Sequence, residues 1–249
     1  LDIIYWSGTA IIAIFVLGAC NASNFIDGLD GLLTGVTSIA MVGLIAISLT
    51  LAMLDDGIFD APRIIFGLAV LGACLGFLPH NFNPASIFLG DTGSLLLGYC
   101  SAVMILSLGD TGKTWLVAAG LIIYAIPIID TMLAIIRRKL AGKKMSDPDA
   151  DHLHHMLKRS FGVKGAVFTL YGIGIAFMLL GVMLSYFRGR IIYALALLMA
   201  SYIGVYAIKI ARQSAIHAHA SEPAADAKPK ENPAPSTQSE PARGIASSK

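Results

Sequence analysis

Charge is what this sequence has least of. Only 14% of its 249 residues are Asp, Glu, Lys or Arg, against about 25% in soluble domains, while 56% are hydrophobic. The mean hydropathy of +0.73 agrees. The few charges gather in short stretches between long apolar runs, which excludes an ordinary soluble globule and fits a multi-span membrane protein. No basic patch interleaved with aromatics is present, so nothing points to a nucleic-acid partner. Cysteine is scarce too: Cys20, Cys74 and Cys100 lie inside apolar stretches without metal-type spacing. They read as small buried hydrophobes rather than redox groups. A starting Met and a positively charged leader are also missing. The chain opens at Leu1 inside an apolar run, so its natural start is expected upstream.

What is present is a series of seven apolar segments, at about 3–20, 32–54, 63–80, 94–109, 115–136, 166–187 and 191–211. A span needs about 20 residues at 1.5 Å rise to cross roughly 30 Å of hydrocarbon. Open strands could not satisfy their backbone there, so the expected fold is an all-α, polytopic transmembrane bundle. It should occupy residues 1–213. From 214 to 249 the composition turns to Ala, Pro, Ser, Glu and Lys, which cannot bury enough surface to offset ordering entropy and predicts a disordered tail.

Seven spans put loops 21–31, 81–93 and 137–165 on one side. Loop 137–165 carries eight basic residues (Arg137, Arg138, Lys139, Lys143, Lys144, Lys158, Arg159 and Lys164), whereas the opposite side has four at most: Arg63, Lys113, Arg188 and Arg190. The bias of Lys and Arg toward the cytoplasm makes the first side, and the tail, cytoplasmic. These three loops also carry all the unusual polar chemistry.

The first cluster holds Asn21, Asn24, Asp27, Gly28, Asp30 and Gly31. A first span continuing as a helix would set 24, 27 and 30 in register at i,i+3. Carboxylates so close repel, and a cation or a shared proton relieves them. The glycines would let a ligand approach the backbone. The competing reading makes Asn and Asp helix caps and Gly a terminator, which accounts for one or two of these residues but not four.

In the second cluster, which runs from His80 to Ser94 and includes Asn81 and Phe88, Gly90 and Gly93 bracket Asp91 just before a new span. A Gly-rich turn into a helix N-terminus is a natural phosphate site, although Asp91 could equally be a plain cap. The third cluster brings His152, His154 and His155 after Asp147, Asp149 and Asp151, between basic stretches. Zinc binding and phosphate handling are both open for it.

The segments Asn21–Leu32, Phe88–Leu97 and His152–His155, in this order and on one membrane side, resemble the signatures of the polyprenyl-phosphate N-acetylhexosamine-1-phosphate transferases (glycosyltransferase family 4). The resemblance covers about residues 1–211. It implies transfer of a sugar-1-phosphate from a UDP-sugar to undecaprenyl phosphate in the bacterial inner membrane, the start of a cell-envelope polysaccharide carrier. His-x-His-His spacing is similar to the N-acetylglucosamine-type branch. By the same resemblance Asp91 would be a Mg²⁺ ligand, with Asp27 a second candidate and Mn²⁺ an alternative metal. Asn21, Asn24, Asp27, Gly28, Asp30, Asn81 and Gly90 would line the nucleotide-sugar site, Phe88 would stack on uracil, and His152, His154 and His155 would contact the sugar or diphosphate. A homodimer is one assembly to test.

The family also has an earlier cytoplasmic Asp-Asp loop without counterpart here. Asp55-Asp56 imitates it in letters but falls between spans two and three, on the opposite side. Residues 1–249 alone are therefore expected to turn over little or not at all. The rival readings are an ion-coupled transporter, which calls for mid-span charge and has only Asp130, and a zinc hydrolase resting on the His cluster.

Overall fold

A computed structural model describes residues 2–54, 60–140, 153–186 and 201. The expected seventh span (apart from Ser201), the tail 214–249, Asp55-Asp56, the stretch 141–152 with His152, and the side chains of His154 and His155 lie outside the described residues.

Every regular element among the described residues is helical: α1 (Asp2–Ile26), α2 (Leu32–Leu54), α3 (Asp60–Asn81), α4 (Gly90–Ser107, extended by a 3-10 turn over Leu108–Thr111), α5 (Thr114–Ile123), α6 (Ala125–Leu140) and α7 (Leu153–Tyr186). Five helices are individually long and apolar enough to cross a membrane, and the α5–α6 pair makes six if counted as one span. The all-α polytopic expectation holds, and the chain is an integral membrane protein.

The fifth apolar segment is not one straight helix. It breaks at Tyr124, where α5 and α6 meet at 73°. Pro127 offers no N–H to the carbonyl of Ile123, and its ring crowds that carbonyl. The chain therefore stops α5 and restarts with Pro127 in the first turn of α6, where a missing donor costs nothing. At about 1.5 Å per residue, the ten residues of α5 reach roughly halfway across a bilayer. A second break lies within α7, where Gly162 adopts φ 71°. Only glycine visits that region freely.

The core is organised around α2, whose Leu32, Leu33, Met41, Leu44 and Ile47 are fully buried among α3, α4, α5 and α7. Large apolar side chains such as Ile3, Trp6, Ile11 and Ile14 on α1 face outward, as expected where lipid is the solvent. In lipid, helices associate by close packing of small residues rather than by escape from water. Gly98 on α4 is such a contact: a Cβ there would lie 2.6 Å from the Ala19 carbonyl oxygen and 2.7 Å from the Cys20 Cα on α1. The two backbones touch.

Side-chain bonds define two ends. At one, Arg63 at the start of α3 pairs with Asp110 at 3.4 Å, just past the end of α4, and Thr50 on α2 bonds the Tyr186 hydroxyl at 2.7 Å. The opposite end gathers the α1–α2 turn (27–31) and the α3–α4 loop (82–89).

Candidate active site at one end of the bundle

The first cluster does not continue as a helix. α1 stops at Ile26, and Asp27 to Gly31 form successive turns, with the Asp27 N–H bonded to the Asn24 carbonyl at 3.3 Å. Gly31 has φ +79°, which ends the turn and lets α2 begin. Asn24, Asp27 and Asp30 are therefore not stacked in i,i+3 register. They fan out toward different partners.

Asn24 donates through Nδ2 to Asp91 Oδ1 at 3.1 Å and to Ser94 Oγ at 2.9 Å. Two clusters 67 residues apart thus meet at one point. α4 begins four residues earlier than the apolar run suggested, at Gly90, so Asp91 lies inside its first turn rather than before it. The cap position belongs to Leu89, which offers no side-chain bond. Asp91 is therefore no plain N-cap. It is exposed, with a carboxylate oriented by α1 and by the positive end of α4. Gly90 holds φ +62° with open space where a Cβ would stand, so backbone N–H groups at this helix start are approachable.

Asp30 turns the other way. Its Oδ2 accepts from Asn83 Nδ2 at 2.9 Å and from the Ala85 N–H at 3.2 Å, so it anchors the α3–α4 loop. Asn81 anchors the same loop from within. It is 3% exposed; its Oδ1 accepts from Thr34 at 2.7 Å and its Nδ2 donates to the Ile87 carbonyl at 3.0 Å. Both ends of its amide are engaged in shaping the loop. Phe88, by contrast, three residues before Asp91, is 70% exposed.

Asp27 is the electrostatic centre. Partial burial, reinforced by the negative charges of Asp30 and Asp91, pushes its carboxyl up to about 7. Gly28 next to it is exposed, while Gly31 is buried against Phe82, where a Cβ would come within 2.9 Å. Gly31 serves packing, not ligand approach. Asn21 is exposed one turn before Asn24 and bonds only back to the Leu17 carbonyl, at 2.8 Å. Sequence reasoning passed over Thr34 and gave Asn83 and Ser94 no role beyond membership of the second cluster; all three hold these groups in place. A polar residue inside an apolar run was the available signal for Thr34 and Ser94.

Among the described residues no group of three His, Cys, Asp or Glu side chains is close enough to enclose a metal by itself. The carboxylates at this end are Asp27, Asp30 and Asp91, of which Asp30 is engaged by Asn83 and Ala85. Mg²⁺ takes one or two carboxylates and leaves its other positions to phosphates and water, so Asp27 and Asp91 are donors it could use.

Residues 1–109 match the model of glycosyl transferase family 4. The chain is 36% identical over 183 residues to the Bacillus subtilis protein named "Probable undecaprenyl-phosphate N-acetylglucosaminyl 1-phosphate transferase", covering 72% of this chain and 49% of that one. It is 37% identical over 165 residues to the decaprenyl-phosphate N-acetylglucosaminephosphotransferase of Mycolicibacterium smegmatis (61% and 41% covered). A phospho-N-acetylmuramoyl-pentapeptide-transferase of Oceanobacillus iheyensis is 36% identical over 177 residues (71% and 51% covered). The chain spans about half the length of the curated relatives it matches. With the family model matched over residues 1–109 and 36% identity to the Bacillus subtilis protein over 72% of this chain, the chain belongs to glycosyl transferase family 4.

Proposed function

We propose that this chain carries the nucleotide-sugar and metal-binding part of a membrane transferase. The enzyme would move a sugar-1-phosphate from a UDP-sugar to a polyprenyl phosphate, undecaprenyl phosphate in a bacterial cytoplasmic membrane. An oxygen of the lipid phosphate attacks the sugar-linked phosphorus, the bond from that phosphorus to the UMP oxygen breaks, and UMP leaves. The reading rests on the convergence of the Asn24–Asp30 turn and Asp91 at one end of an apolar bundle.

Two polyanions must meet, so alignment and charge neutralisation carry most of the catalytic work. In this proposal Asn24 orients the Asp91 carboxylate, Asp30 and Asn81 fix the loop, and Phe88 offers its exposed ring to the uracil. The His152–His155 segment contacts the sugar diphosphate. Mg²⁺, or Mn²⁺ in its place, would be held by Asp91 with Asp27 beside it, and when bound would neutralise phosphate charge. His-x-His-His favours N-acetylglucosamine as the sugar, and the basic bias of loop 137–165 puts this end in the cytoplasm.

The deciding experiment is UMP release by the full-length protein in membranes supplied with undecaprenyl phosphate and Mg²⁺. UDP-N-acetylglucosamine and UDP-N-acetylmuramoyl-pentapeptide serve as separate donors. Release from the first alone is expected. Release from the second alone would move the protein to the muramoyl branch, and release from neither would sink the reading. Mass measurement of the detergent-solubilised protein tests whether it is a homodimer.

A further inference from the structure

α7 touches the site from behind. The hydroxyl of Tyr171 donates to the carbonyl of Gly31, the oxygen that also accepts the first helical bond of α2 from the Gly35 N–H at 3.0 Å. A carbonyl has two lone pairs, and here both are used. The phenol ring fills a notch left by two missing side chains. A Cβ on Gly35 would overlap the ring, and one on Gly31 would lie 3.6 Å from the hydroxyl. These glycines lie four apart on one face, so the notch admits a ring and little else. Phe168, one turn earlier on α7, meets the Tyr171 ring edge-on with centroids 6.2 Å apart, and meets Phe82 at 5.7 Å. Phe82 lies between Asn81 and Asn83 and itself packs against Gly31.

One residue of α7 therefore contacts the turn that carries Asp27 and Asp30, and through Phe168 reaches the loop that carries Phe88. The same helix begins at Leu153, beside His154 and His155. Nine residues, about 13 Å of helix, separate Tyr171 from the break at Gly162 beyond which the His segment lies.

We propose that Tyr171 is a positioning residue for the transferase site. It clamps the Gly31 carbonyl and so sets the Asp27–Asp30 turn, and it holds α7 against that turn at a fixed height. The first two motif segments then share one reference point. The inference rests on the proposed transferase reading for its catalytic consequence, but the clamp itself is measurable without turnover.

Tyr171→Phe keeps the ring in its notch and removes only the hydroxyl, so the fold survives. Two readouts are taken on the full-length protein in lipid nanodiscs. Amide exchange across residues 27–35 is expected to rise about five- to ten-fold, the worth of one buried hydrogen bond, while exchange in α3 stays unchanged. Turnover is expected to fall by a similar factor, with a higher Mg²⁺ concentration for half-maximal rate and an unchanged KM for the lipid phosphate. Gly35→Ala raises helix propensity yet should reproduce these kinetics, because its methyl displaces the ring. The double variant should be no worse than either single one. Unchanged exchange in Tyr171→Phe overturns the clamp. Raised exchange with unaltered turnover and Mg²⁺ dependence overturns its positioning role. Absence of UMP release from the unaltered protein counts against the transferase reading and leaves the exchange arm to decide the clamp.

Discussion

Asn24 on α1 and Asp91 on α4 share a hydrogen bond of 3.1 Å, and the helices that carry them are in backbone contact at Gly98. The amide can donate but carries no charge, so it orients the carboxylate without neutralising it. Asn24→Ala should leave the carboxylate free to rotate. A hydrogen bond to a charged group is worth about 1.5–3 kcal/mol, so turnover should drop roughly 10- to 100-fold. UMP release at saturating Mg²⁺ measures this, and a rate within about two-fold of normal would remove Asn24 from the machinery.

The close approach at Gly98 makes a second prediction. Gly98→Ala drives a methyl into the backbone of α1, an overpacking that costs about 1–3 kcal/mol. The melting temperature in detergent should fall, and activity with it, since the helices bearing Asn24 and Asp91 are forced apart. Gly72→Ala on α3, with open space around it, is the control: it gains helix propensity and should lower neither.

Asp91→Asn preserves size and removes one charge. If Asp91 helps hold Mg²⁺, the rate should fall about 10²- to 10³-fold, with the largest loss at limiting metal. Near-normal turnover at limiting Mg²⁺ would show that the carboxylate is not a ligand.

The Asp27 carboxyl, raised to about 7 by burial and then by Asp30 and Asp91, favours the protonated form in the folded protein. The unfolded chain has already lost that proton near pH 4, so between about pH 4 and 7 the folded state holds more protons and stability declines as pH rises. Asp27→Asn should flatten that decline in thermal melts. A divalent cation favours the ionised form. The acid limb of the activity profile should therefore lie near pH 7 at low Mg²⁺ and move lower as Mg²⁺ increases. A limb indifferent to Mg²⁺ would dissociate Asp27 from the metal.

Orientation is tested by thiol labelling in intact cells. A cysteine at Ser160, within the basic stretch 137–165 and on the first part of α7, should react only with membrane-permeant reagents. One at Thr114, at the start of α5, should react with impermeant reagents as well. The reverse pattern would turn the whole site to the outside.

Much of this was legible in the chain. Long apolar runs fix helices because lipid leaves the backbone no other partner, and six of the seven expected segments are helical among the described residues. The clustering of Asn24, Asp27, Asp30, Phe88 and Asp91 at one end followed from counting spans. The break at Tyr124 was not read, because an apolar window is blind to a missing backbone donor, although Pro127 announces it. The helical register imagined for Asn24, Asp27 and Asp30 failed because α1 ends at Ile26 and residues 27–31 run on as turns. Tyr171 and Thr34 stayed hidden for a different reason. Each looks like an isolated polar residue in a hydrophobic stretch, and its partner is 140 or 47 residues away.

Asn81 ties Thr34 to the Ile87 carbonyl and thereby straps the exit of the α3–α4 loop to its own entrance. The loop's shape is thus settled when the bundle packs, before any substrate arrives. An unstrapped loop would surrender its freedom again at each binding event, at about 1–2 kcal/mol per backbone residue fixed. Here that expense falls once, on folding. On the proposed reading, in which Phe88 takes the uracil, the platform is preorganised, and the binding energy of the base would remain available for aligning the two phosphates.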